Sequence, residues 1–231
     1  MGVSALFADL AAAAPKARYL AVVRDFLVAA NTWDATDANR PFRVWWSAID
    51  DPTDWPAPGS AAAAAVQSDR QDLVGDGGWV QGIVGGVGTA DGVVFQERAV
   101  WRMTYIGSPA VFQFDAVEGA RGTPAPGSIA QMGAVVFYLG DDGFYAFDGS
   151  NSRPVGAQRV DRTFFADLDS GYFYRVSAAV DPINKLVYWA YPGTGHVSGG
   201  PNKLVVYNWA ADRWSQGEQA CQMLLRSVGF G

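Results

Sequence analysis

An all-β fold of the propeller type is predicted by three features of this sequence. Hydrophobic residues fill 49% and aromatic residues 13% of the 231 positions, ample material for a core. Gly 27 and Pro 12 punctuate the chain as many short strands joined by tight turns require. Apolar stretches meet turns of Asp, Asn and Gly, and aromatic residues recur where the chain leaves those turns. The expected architecture is a single domain over 1–231. It is a propeller-like array of about four to five antiparallel blades, open or completed by a partner. A jelly roll or sandwich is the competing architecture.

Residues 1–15 are expected to be irregular. Met1–Pro15 carries Asp9 within its apolar run and no basic region ahead of it, which fits a signal peptide poorly. No apolar run approaches the roughly 20 residues of a membrane helix, so neither secretion nor membrane insertion is expected. Arg18–Ala30 (RYLAVVRDFLVAA) lacks helical spacing and predicts two short strands around a turn at Arg24-Asp25, ended by Asn31. Phe42–Ile49 (FRVWWSAI) is the next strand-like segment. Prolines at 52, 56 and 58 exclude regular structure from Asp50 to Gly59. The stretch 56–76 is expected as a long loop or a short helix, since its run of five alanines has no amphipathic stripe to bury.

From Trp79 onward the pattern is β. Trp79–Val87, Val93–Gln96, Ala99–Tyr105 and Val111–Val117 are predicted strands, and Phe112 and Phe114 share one face of the last. Three hairpins follow. Ala134–Gly149 turns at Gly140-Asp-Asp-Gly143, whose Asp-Gly step suits a positive φ. Ser177–Tyr191 turns at Asp181-Pro-Ile-Asn184, and Lys203–Trp214 closes the series. FYLGDDGFYAFDG, AAVDPINKLVYWAYP and VVYNWAADRWS share one grammar: an apolar strand, an Asp, Asn or Gly turn, then an aromatic-rich return. VWWSAIDDPTDW resembles the last, with Trp46 and Trp55 matching Trp209 and Trp214. The units are expected roughly 40 residues apart, the length of a four-stranded blade.

Charge and motifs narrow the chemistry. A net charge of -6 argues against a basic phosphate-binding groove, while an acidic wall would let DNA slide past without sticking. Cys221 is the only cysteine, so an intramolecular disulfide and a cysteine-based zinc site are excluded; a buried structural role is expected. Gly85-Gly-Val-Gly88 lacks the third glycine of a dinucleotide fingerprint, because Asp91 stands there, and reads as a close approach of backbones. His196, the only histidine, is expected to be exposed in GTGHVSGGP, with no GxSxG elbow to complete a triad.

Asp50, Asp51 and Asp54, Asp141 and Asp142, and Asp161, Asp167 and Asp169 cluster in sequence. Paired carboxylates hydrolyse glycosides, but turn positions favour bonds to their own backbone. Arg98, Arg102 and Arg121 suggest an anion cluster, with ion pairs to Glu97, Asp115 and Glu118 as the simpler account. No catalytic residue, cofactor or metal site is expected. Trp33, Trp55 and Trp79 are the expected exposed contact points of an interface.

Glu97–Ile129 (ERAVWRMTYIGSPAVFQFDAVEGARGTPAPGSI), VVFYLGDDGFYAFDG and VDPINKLVYWAYP together resemble tailed-bacteriophage structural proteins, the β-propeller portions of tail nozzle or tail-hub components. The likeness extends from Lys16 to about Ser215. It implies a non-enzymatic virion protein, assembled in the host cytoplasm into a homo-oligomeric, typically hexameric ring around the DNA exit channel. Other tail or adaptor proteins would be its partners, and DNA would pass without specific binding. Two alternatives stand beside it: a carbohydrate-binding or glycan-hydrolysing propeller used in host attachment, and a bacterial scaffold unrelated to phage.

Overall fold

A computed structural model describes residues 10–225. Residues 1–9, with Asp9 and most of the expected irregular segment 1–15, lie outside the described residues. The protein is all-β: four antiparallel sheets, each of four strands consecutive in the chain. Sheet I holds β1 (Lys16–Val23), β2 (Phe26–Asp34), β3 (Ala38–Trp46) and β4 (Asp69–Asp72). Sheet II holds β5 (Val80–Val87), β6 (Ala90–Gln96), β7 (Val100–Gly107) and β8 (Val111–Glu118). Sheet III holds β9 (Ala130–Met132), β10 (Val135–Leu139), β11 (Phe144–Phe147) and β12 (Ser152–Pro154). Sheet IV holds β13 (Ser177–Asp181), β14 (Leu186–Tyr191), β15 (Lys203–Asn208) and β16 (Arg213–Glu218).

Period-2 alternation explains why the sheets pack serially. In β10, Val136 and Tyr138 face sheet II beside Phe95, whereas Phe137 and Leu139 face sheet IV beside Trp189 and Tyr207. Both faces of sheets II and III are therefore apolar. The seam between sheets I and II is built from Val23, Phe26, Val44 and Trp46 against Val80, Val94, Met103 and Phe112. Each seam contains aromatic pairs: Trp46–Phe112 at 5.2 Å, Phe95–Tyr138 at 5.2 Å and Phe144–Trp189 at 4.7 Å between ring centroids.

The first hairpin forms as expected, with Arg24 turning at φ 51. Two contacts hold that unfavourable backbone: Arg24 Nη1 lies 3.5 Å from Asp91 Oδ1, and its guanidinium sits 4.6 Å from the Tyr105 ring centroid. Asn31 does not end its strand. It adopts φ 57 in a bulge, and its Nδ2 donates to the Val80 carbonyl at 3.1 Å, tying β2 to β5.

Several expectations are corrected. The interval 56–76 contains the expected short helix, α1 (Ala61–Ala65), capped by Ser60 Oγ, but also the unexpected strand β4. A second helix, α2 (Asp161–Asp167), occupies a segment read only as a carboxylate cluster. The hairpins of β13–β14 and β15–β16, expected as two successive units, belong to one sheet. Sheets begin at Lys16, Val80, Ala130 and Ser177, farther apart than the expected spacing. VWWSAIDDPTDW is the end of β3 and a following loop rather than a hairpin. Gly143 needs no positive φ; a Cβ there would collide with the Asp161 carboxylate.

Candidate functional site

The outer face of sheet I, turned away from sheet II, gathers Trp33, Trp45 and Trp55 with several charged side chains. Lys16 pairs with Trp33 across β1 and β2, and its Nζ stands 4.6 Å from the indole centroid. Trp33 is 42% exposed. Trp45, one strand farther on, packs edge-on against Trp55 at 6.4 Å. The loop carrying Trp55 folds back because Asp51 Oδ1 accepts from Thr53 N at 2.8 Å and Thr53 Oγ1 at 2.7 Å. Trp55 Nε1 then donates to the Pro52 carbonyl at 2.8 Å. Trp55 is consequently buried, at 3% exposure, which corrects its expected role as an exposed contact.

Lys16, Trp33, Asp34, Trp45, Trp55 and Arg70 line a cleft of about 520 Å³. Its floor is braced by an ion network. Arg43, nearly buried, donates from Nε to Asp72 Oδ1 at 2.6 Å and from Nη1 to Asp37 Oδ2 at 2.7 Å. Arg70 pairs with Asp37 at 2.6 Å and with Asp34 at 3.8 Å, and its guanidinium lies 5.2 Å from the Trp45 ring. The Arg43 hydrogen bond, aided by the nearby Arg70 charge, holds Asp37 below the usual carboxylate range. Trp45 is 5% exposed, and its Nε1 has no hydrogen-bond partner among the described residues.

Of the three expected interface tryptophans, the fold therefore brings Trp33 and Trp55 to one cleft and leaves Trp79 apart. Trp79 precedes β5, is 52% exposed, and its backbone N donates to Glu97 Oε2 at 3.4 Å. Arg43, Arg70 and Lys16 were not singled out in the sequence. The usable signal was alternation: Lys16 and Arg18 share a strand face with Leu20 and Val22, a mixed pattern that an ordinary solvated face does not need.

The remaining candidates do not converge. His196 is not an exposed loop residue: its side chain is 16% exposed, its Nε2 lies 2.8 Å from Asp169 Oδ2, and Nδ1 accepts from Gly199 N at 3.0 Å. That contact with His196 lowers the Asp169 pKa. Arg98, Arg102 and Arg121 pair separately with Glu97, Asp115 and Glu118, as the simpler account expects, at 3.9, 3.1 and 3.3 Å. Asp161 is pushed upward, chiefly by burial, in its niche against Gly143 and Gly156. Asp167 instead bonds Lys203 Nζ at 2.8 Å.

A Cβ on Gly85 would strike the Val22 carbonyl, so the glycine cluster serves close backbone approach. Cys221 is half-buried rather than buried, and burial raises its thiol pKa. Among the described residues no group of three or more His, Cys, Asp or Glu is placed to hold a metal ion. No described helix is long and apolar enough to cross a membrane. No protein-family model and no curated protein matches the chain.

Proposed function

We propose that this protein is a non-enzymatic structural component of a bacteriophage tail, of nozzle or hub type. Its four sheets would be the blades of a propeller-like array, and copies would assemble in a ring around the DNA exit channel. The observation that carries the assembly reading is a set of accessible apolar residues on each of the two terminal sheet faces. On sheet I, Leu20 and Val22 are 58% and 68% exposed on the face opposite Val23. On sheet IV, Ala179, Leu186, Tyr188, Leu204 and Val206 are half-buried on the face opposite Trp189 and Tyr207.

Inside the chain, faces of this kind pack on the next sheet. A repeat array with uncapped apolar ends favours continuation by a neighbour. The virion setting rests on the resemblance of Glu97–Ile129 and the two hairpin motifs, and the net charge of -6 suits a channel wall that DNA does not grip.

Native mass spectrometry and electron microscopy of the purified chain test this reading. The expected particle is a ring of identical copies with an axial opening, dispersed by Leu20→Asp combined with Val22→Asp. A monomer at every concentration, with the same mass in both proteins, overturns it.

A further inference from the structure

We propose that the tryptophan cleft on sheet I binds an acidic sugar, a pyranose ring carrying a carboxylate. The cleft lies at the Lys16–Trp33 end of the outer face of sheet I, and Leu20 and Val22 lie toward the other end of β1, so it draws on a different part of that face from the assembly contact. The cleft volume of about 520 Å³ falls in the range of small-ligand sites, about 300–1,000 Å³. Trp33 is 42% exposed at the lip, and the flexible Lys16 side chain that stands over its ring would swing to a ligand carboxylate and free the ring for the C–H face of a pyranose.

The polar inventory of the cleft consists mainly of donors. The Lys16 ammonium has no carboxylate partner among the described residues. The Arg70 guanidinium remains 27% exposed, and the Trp45 indole N–H is buried without an acceptor. Asp34, Asp37 and Asp72 together match the Arg43 and Arg70 charges, which leaves Lys16 as the cleft's cation without a carboxylate among the described residues. A donor-rich cleft with one unmatched ammonium beside an aromatic platform selects a ligand rich in acceptors and carrying a single negative charge. A quaternary ammonium ligand, the other common guest of tryptophan clusters, meets Lys16 already standing over Trp33.

Titration of the full chain with a glucuronic-acid disaccharide and with its neutral glucose counterpart, read by tryptophan fluorescence and calorimetry, decides the matter. Saturable binding of the acidic sugar is expected, with the neutral one bound about tenfold more weakly. Trp33→Ala should remove binding of both, and Lys16→Gln should lower acidic-sugar affinity to the neutral level. Both residues are at the surface, so thermal unfolding should be unchanged and a folding defect is separable from loss of the site. Absence of binding, equal affinity for the two sugars, or binding undiminished in Trp33→Ala overturns the proposal.

Discussion

Arg43 grips Asp72 through two parallel hydrogen bonds, Nε to Oδ1 at 2.6 Å and Nη2 to Oδ2 at 3.1 Å, joining β3 to the edge strand β4. The same guanidinium reaches Asp37, so one nearly buried cation serves carboxylates from two segments. Arg43→Ala leaves Asp72 without an ion-pair partner among the described residues and leaves Asp37 to Arg70 and Arg40. Because both carboxylates keep partial access to water, the expected loss is about 2 kcal/mol rather than the full penalty of a buried pair. Arg43→Lys, which retains the charge but not the fork, should fall between wild type and Arg43→Ala in urea unfolding.

The two tryptophans of the expected interface that differ most in burial should behave oppositely. Trp55→Ala empties the space against Trp45 and is expected to cost about 3 kcal/mol. Trp79→Ala, at an exposed position, should leave the unfolding midpoint unchanged. Equal midpoints for the two variants would contradict the buried placement of Trp55.

Gly85 and Gly86 are neighbours with different requirements. A Cβ at Gly85 meets the backbone carbonyl of Val22, which cannot turn aside, so Gly85→Ala should destabilise by about 1–3 kcal/mol and loosen the seam between sheets I and II. Gly86 has open space but φ 63, so Gly86→Ala should cost about 1 kcal/mol and Gly86→Asn less. Hydrogen exchange of the β1 and β5 amides distinguishes the local loosening from a uniform loss.

Asp212 supplies an acid-sensitive contact. Hydrogen bonds from Arg159 and Tyr207 lower its pKa to about 2, against 3.8 for an unpaired carboxylate. The unfolded chain takes up the proton first, near 3.8, so this contact stabilises the fold above that pH. The contribution is lost as pH falls from 3.8 to about 2. Asp212→Asn should flatten the dependence of stability on pH across that window, measured by denaturant unfolding at stepped pH. Asp161 has the opposite sign. Burial raises its pKa, so its folded form binds the proton first, and Asp161→Asn should remove a gain in stability on acidification.

The hairpins were legible in the sequence because alternation and turn chemistry agreed. Arg24-Asp25 and Asp181–Asn184 each sit between apolar strands, and both form turns there. Strand β4 was not legible: DRQD has no apolar residue, and its strand conformation comes from pairing with β3 and from Arg43 holding Asp72. β9 and β12 are three residues each, too short to show a period. The hairpin grammar marks one strand pair of sheet III and both pairs of sheet IV, so two hairpins taken as successive units share one sheet.

In the cleft, Trp33 was identified by type alone. Its partners Lys16, Trp45 and Arg70 reach it across β1 to β4, from positions as far apart in sequence as 16 and 70. Burial of Trp55 depended on where a proline-rich loop folds back, which composition does not specify.

Because every sheet is completed by consecutive residues before the next begins, the order of synthesis is also a workable order of folding. Sheet I can close its hydrogen-bond ladders while the later sheets are still unmade, and each new meander then condenses on a finished surface. Such a chain behaves as a zipper driven from one end. A slow codon stretch or an arrested translation product would leave a native-like stub rather than a collapsed coil, with its newest sheet face ready to receive the next.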